Sequence, residues 1–275
     1  MPENHLIYSV DRRVATIRFN RPDKLNALTP EMLSDFFKLV AHASADTDVR
    51  VILLTGTGRA FSAGLDLSLI GSGQSDEVVT DHGIDTQWAD DIGPALKRFY
   101  SVGWHGLITS RKPTIAAING SAFGWGFLLA LHCDIRFAAR SALCNATFAR
   151  LGVPGEKNAA WLLTRLIGPA RAADLLYTAR RFDGVEAERL GVVNAVLDDD
   201  ALMAHALEYA RDLAVNSAPR SLAAMKAQIW TAIDDYYDSA FAESDREQDI
   251  ADKTEDFREG VKSLIEKRTP DFRGI

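Results

Sequence analysis

The feature that most restricts what this chain can fold into is a strand–loop–helix unit that recurs at about residues 49–70, 114–131 and 134–166. Each unit begins with a short run of β-branched and apolar residues, VILLT from Val51, TIAAI from Thr114 and DIRFA from Asp134. Runs of this length that are apolar on both faces read as buried strands, which is the pattern of a parallel sheet covered by helices. A glycine-containing turn closes the first two runs, at Gly56 and at Asn119-Gly120. The apolar stretch 124–131 is long enough for a short buried helix. No long sequence repeat accompanies the recurrence, so the similarity is one of pattern. From about residue 159 onward the spacing of apolar residues is helical. The organisation predicts an α/β core over residues 1–199 followed by a helical region over 200–275.

The flanking segments carry local signals. Residues 6–10 and 14–19 read as a hairpin around Asp11-Arg12-Arg13. Thr29 is placed to cap a helix that Pro30 opens, and Leu33, Phe36, Phe37 and Val40 fall on one helical face. Residues 71–83 are polar and glycine-rich and read as a loop. A helix is expected over 84–109, interrupted at Gly93-Pro94 and Gly103. Leu202, Ala206, Tyr209 and Leu213 form one apolar stripe, and Phe257, Val261 and Leu264 another.

Composition narrows the function. Acidic residues outnumber basic ones by 38 to 31, giving a net charge of −7, with the two signs mixed along the chain. A dedicated nucleic-acid binder usually shows a basic face instead. No apolar run reaches the roughly 18–20 residues of a membrane span. The first residues lack a basic stretch followed by an apolar one, so a cytoplasmic setting is expected. Cys133 and Cys144 make no CxxC pair, and a structural disulfide is not expected. The six histidines, His5, His42, His82, His105, His132 and His205, lack metal-ligand spacing, so no metal site is expected. GTGRAF lacks the ending of a phosphate loop, and no GxSxG elbow occurs.

Two segments do point to chemistry. FSAGLDL follows the first buried strand and NGSAFGWGF the second. Glycine lets backbone N–H groups approach a ligand with no Cβ in the way. Two such N–H groups converging from different strands would hold an oxygen that gains negative charge during reaction. Either turn alone is common structural punctuation; it is the pair that suggests a site.

These stretches, with FNRPDKLNALTPEM (19–32), ERLGVVNAVL (188–197) and DFREGVKSLIEKRTPDF (256–272), resemble the crotonase, or enoyl-CoA hydratase/isomerase, superfamily over nearly the whole chain. The resemblance implies a spiral of ββα units with a C-terminal helical region that builds homotrimers or dimers of trimers. It implies an acyl-CoA substrate whose coenzyme A is part of the substrate, with no further cofactor. The two oxyanion donors map onto the N–H groups of Leu65 and Trp125, and a Trp between Gly124 and Gly126 departs from the more usual small residue. Coenzyme A would lie against Lys24, Leu25, Asn26 and Ala27 and against Ala63, Gly64, Leu65, Asp66 and Leu67. Lys267 and Arg268 either assist with its phosphates or form a solvated helix face. Asp66 either shapes its loop or faces coenzyme A, and Asp134 looks structural.

Many hydratases of this superfamily use two glutamates, and the corresponding positions hold Leu128 and Phe148. One acid remains: Glu156, four residues after Gly152, as in isomerases and related members. A single glutamate suits transfer of a proton from C2 to C4 of a 3-enoyl thioester, a Δ3,Δ2-enoyl-CoA isomerase-like reaction. Hydration by one acid is the nearest alternative and a non-catalytic acyl-CoA-binding chain the next. Hydrolase chemistry assisted by His105 or His132 ranks below both. Residues 71–83 and the helix after them are candidates to line the acyl tunnel, and Trp88, Trp104 and Trp125 either restrict it or pack the core.

Overall fold

A computed structural model describes residues 5–66, 103–151, 155–232, 250 and 253–274. The expected loop at 71–83, the helix expected over 84–102, Trp88 and Leu67 lie outside those residues.

The chain begins with the expected hairpin, β1 (Leu6–Asp11) and β2 (Val14–Phe19), paired antiparallel with Asp11 opposite Val14. Arg12 and Arg13 close it with φ of 46° and 65°. Such a two-residue turn twists in the same sense as the strands it joins. Helix α1 (Pro30–Ala45) starts as its sequence requires: Thr29 Oγ1 accepts from Met32 N at 3.2 Å and Pro30 stands at the first position. Its buried face includes Leu33, Phe36, Phe37 and Val40, with Phe36 against Phe19 at a ring distance of 5.4 Å.

Each recurring unit contributes two strands. In the first, β3 (Val51–Gly56) is followed by β4 (Ala60–Ser62). In the second, β5 (Thr114–Ile118) and β6 (Ser121–Phe123) lead into a helix at Trp125–Leu131. In the third, β7 (Ile135–Ala139) and β8 (Leu143–Asn145) lead into a 3-10 turn at Thr147–Leu151. The first strand of every unit joins one sheet and the second strand joins another. With β9 (Phe182–Asp183) and β10 (Ala195–Leu197), the orders are β1-β2-β3-β5-β7-β10 and β4-β6-β8-β9. The pairs β3–β5, β5–β7, β4–β6 and β6–β8 are all parallel. The chain therefore coils, laying one rung on each sheet per turn, as the resemblance implies. All six residues of β3 and all five of β5 are buried, as their unbroken apolar runs require.

Among the described residues the helices are, in chain order, α1, α2 (Gly106–Thr109), α3 (Trp125–Leu131), α4 (Ala159–Ile167), α5 (Pro169–Thr178), α6 (Gly184–Leu190), α7 (Leu202–Asn216), α8 (Pro219–Thr231) and α9 (Glu255–Glu266). The buried stripe of α7 is Leu202, Ala206, Ala210 and Ala214. This corrects the expected one, because Tyr209 is 37% exposed and leans its ring on Phe137. Helix α8 is pinned to the sheet by Asp134. That carboxylate accepts from Thr114 N (2.8 Å) and Trp230 Nε1 (2.9 Å) and pairs with the buried Lys226 ammonium at 2.8 Å. Asp134 is structural, as expected. The stripe expected on α9 is open to solvent at Phe257 and Val261. Among the described residues no helix is long and apolar enough to cross a membrane, and no cluster of His, Cys, Asp or Glu is suited to a metal. Both cysteines are buried and free.

Candidate active site

The first glycine turn leaves β4 through Ala63 and Gly64. Ala63 N donates to Leu25 O (2.9 Å), Leu28 N to Gly64 O (2.7 Å) and Asp66 N to Leu28 O (2.9 Å), forming a parallel bridge between Leu28 and Leu65. Leu28 thus bonds to the residues on either side of Leu65. In a parallel ladder the intervening N–H, that of Leu65, then points away from the partner segment. The Lys24–Ala27 stretch is bound to this turn and held in an uncommon conformation, with φ of 51° at Leu25 and 56° at Asn26. Asn26 is wholly buried: its Oδ1 accepts from Arg21 N (2.8 Å), and its Nδ2 donates to Thr57 O (3.0 Å) and Ala60 O (2.7 Å). The Arg21 guanidinium donates to Ala27 O (2.6 Å) and pairs with Asp66 at 3.1 Å. Arg21 thereby ties Asp66 to Ala27 across the loop. Sequence reasoning passed over Arg21, although its distance in sequence from Asp66 left no local signal to find.

The second turn places Gly124 as the cap of α3, its N–H bonded to Asn145 O at 3.0 Å. Trp125 occupies the first helical position, where an N–H has no acceptor within the helix. The two turns touch. Gly64 has φ +90°, and a Cβ there would lie 2.6 Å from Phe123 O and 3.3 Å from Trp125 N. A Cβ on Gly126 would lie 2.3 Å from Ser62 O, so only glycine lets α3 approach β4 this closely. Leu65 follows Gly64 in the chain, so the turns that carry Leu65 and Trp125 lie against each other.

The carboxylate arrives from a third direction. Trp125 Nε1 donates to Glu156 Oε2 at 2.6 Å. The turn after Glu156 runs through two left-handed residues, Lys157 (φ 45°) and Asn158 (φ 61°), before α4 begins at Ala159. Lys157 Nζ stands 5.4 Å from the centre of the Trp125 ring and 6.0 Å from that of Trp104, and the two indoles meet edge to face at 5.3 Å. Leu128 and Phe148, where two-glutamate hydratases carry their acids, are buried apolar residues.

The histidines sit closer to this cluster than the sequence indicated. His105 Nε2 lies 3.4 Å from Asn158 Nδ2, and the His132 ring is 5.9 Å from that of Trp104. His132 is buried with Nδ1 2.7 Å from Leu128 O, and burial lowers its pKa to about 4. It is a neutral core residue near pH 7. Lys267 follows α9 in a left-handed conformation (φ 54°), and the neighbouring Arg268 is held by the Glu259 and Glu266 carboxylates. Those bonds favour the charged forms: Glu259 is lowered to about 2 and Arg268 is raised. Arg268 is thus committed within the chain, which leaves Lys267 as the candidate for a phosphate.

A coil of ββα units whose glycine turns meet beside one carboxylate is the architecture of a crotonase-type enzyme. Residues 10–274 match the family model for enoyl-CoA hydratase/isomerase, and the chain belongs to that family of enzymes. It is 34% identical to a 1,2-epoxyphenylacetyl-CoA isomerase of Escherichia coli, over 98% of both chains. It is 38% identical to a probable enoyl-CoA hydratase of Mycobacterium tuberculosis, over 79% of this chain and 77% of that one. A solved enoyl-CoA hydratase of Bacillus anthracis is similar at a TM-score of 0.84 and 28% identity, over 98% of this chain and all of that one.

Proposed function

We propose that this chain isomerises the double bond of a 3-enoyl-CoA, with Glu156 as the single proton carrier. The thioester oxygen is held by the N–H groups of Leu65 and Trp125. Glu156 takes a proton from C2, the electron pair spreads over the thioester oxygen, C2 and C4, and the same carboxyl returns the proton at C4. The double bond thereby moves from C3–C4 to C2–C3. By analogy with donor removals elsewhere, each N–H stabilises the dienolate-like transition state by about 3–4 kcal/mol. Lys24, Leu25, Ala27, Ala63, Gly64, Asp66, Leu67 and Gly124 form the coenzyme A and thioester contacts, with Lys267 toward a phosphate. No cofactor beyond the coenzyme A of the substrate is required. The reading includes a cytoplasmic setting and a homotrimer or dimer of trimers built through residues 200–275.

The observation that carries it is the bond from the Trp125 indole to Glu156, which ties one carboxylate to the residue whose backbone carries one of the two proposed N–H donors. Apolar Leu128 and Phe148 speak against two-acid hydration. The test follows conjugation of a medium-length 3-enoyl-CoA, with a 2-enoyl-CoA and 1,2-epoxyphenylacetyl-CoA run beside it. Conjugation that falls at least 100-fold in Glu156→Gln, with acyl-CoA binding retained, is the expected result. Hydration of the 2-enoyl-CoA without conjugation replaces the proposal with one-acid hydration. Silence toward all three, with binding intact, replaces it with a non-catalytic acyl-CoA binder.

A further inference from the structure

The proposed mechanism uses only the backbone of Trp125. We infer that its indole is a positioning residue for Glu156: the ring N–H holds Oε2 and leaves Oε1 as the atom that takes the proton from C2 and returns it at C4. The inference rests on Glu156 being the proton carrier and adds how that carboxylate is aimed.

The indole nitrogen is a donor only, so at 2.6 Å it is directed at a lone pair of Oε2. Oε2 is engaged by that N–H, so Oε1 is the oxygen turned to the proton transfer. A glutamate has three rotatable bonds, and Glu156 is only half-buried, on a short non-helical stretch. Without a partner it would sample many orientations, and misplacement by about 1 Å can cost roughly 100-fold in rate. Trp125 is far better fixed. It is 9% exposed, anchored by α3, and set edge to face against Trp104, which is 1% exposed and packs in turn on Phe37 at 5.8 Å. Lys157 over the Trp125 face adds a positive charge on the side of the turn that carries Glu156. The backbone N–H and the ring N–H belong to one residue with two side-chain torsions, so the separation between the proposed oxyanion donor and the base is set within a single side chain. That accounts for a bulky residue between two glycines.

The deciding experiment replaces Trp125 with benzothienylalanine, which puts sulfur in place of the ring N–H and keeps the backbone donor and the ring's shape. Trp125→Phe is the second variant should the analogue incorporate poorly. With a medium-length 3-enoyl-CoA, kcat is expected to fall by about 10- to 100-fold with KM within twofold. Binding of the saturated acyl-CoA is expected to stay within twofold. In the Glu156→Gln background, the slow exchange of C2 protons with deuterium, followed over hours, is expected to respond less than twofold to the same replacement. A kcat within twofold of the original, or the same fractional loss in the Glu156→Gln background, overturns the positioning role. Glu156→Gln with undiminished activity instead overturns the assignment of the proton carrier, whatever the indole does.

Discussion

Gly64 stands against the backbone of Phe123 so closely that no other residue fits: its missing Cβ would lie 2.6 Å from Phe123 O. Gly64→Ala also has to hold φ near +90°. Strain and overpacking together are expected to cost about 2–4 kcal/mol. A lower Tm with turnover reduced at least 100-fold is the expected outcome. Wild-type turnover in this variant would mean that the contact between the two turns does not set the reacting geometry.

Asn26 should prove sensitive to which of its atoms donate. Its amide N–H groups serve two carbonyls, Thr57 O and Ala60 O. Asn26→Ala removes both of these bonds and leaves Ala60 O the longer contact from Asn119 Nδ2 at 3.4 Å, at about 1–3 kcal/mol, and is expected to raise KM for the thioester as the Lys24–Ala27 stretch loosens. Asn26→Asp replaces donors by negative oxygens facing those carbonyls and should be worse than alanine near pH 7. Urea unfolding orders the three proteins; an aspartate variant as stable as the original would contradict the bonding described.

His132 gives stability a pH dependence with a definite sign. Its folded pKa is near 4, below the 6.5 of an unfolded chain, because burial disfavours the imidazolium. Between those values the unfolded state binds more protons, so its contribution is present above pH 6.5 and is lost as pH falls toward 4. The shift corresponds to about 3 kcal/mol at most. Urea unfolding at pH 7 and pH 5 should show the loss in the original chain and a smaller one in His132→Leu. Equal losses in both would assign the effect to other groups.

The thiols should be silent. Burial raises both Cys133 and Cys144 to about 12, so neither supplies thiolate near neutrality. A disulfide-exchange reagent is expected to label the native chain only as fast as it opens, and two thiols at once in denaturant. Rapid native labelling would contradict the packing around α3 and β8.

What was legible in the sequence was local. The Thr29-Pro30 start of α1, the hairpin around Arg12 and Arg13, and the apolar runs of β3, β5 and β7 each carry their signal within a few residues. β4, β6 and β8 have three residues each, too few to display a period, and β4 and β6 lie beside glycines that read as loop. The second sheet was therefore invisible without the family resemblance. In α7, helical spacing found the helix but misjudged the face, because small alanines fill the close contact and Tyr209 reaches around it. Leu65, Trp125 and Glu156 came from the resemblance. The bond between Trp125 and Glu156, 31 residues apart, exists only once the third unit has been laid on the second.

The coil has a pitch, and that pitch is the spacing of hydrogen-bonded strands, about 4.8 Å. Because β4 and β6 are adjacent rungs, the turns that follow them begin one such step apart. The gap proposed to receive a thioester oxygen is thus inherited from the ladder itself rather than from any side chain. Side chains at the rim, Trp125 among them, can then be exchanged while the spacing of the two turns keeps its dimensions.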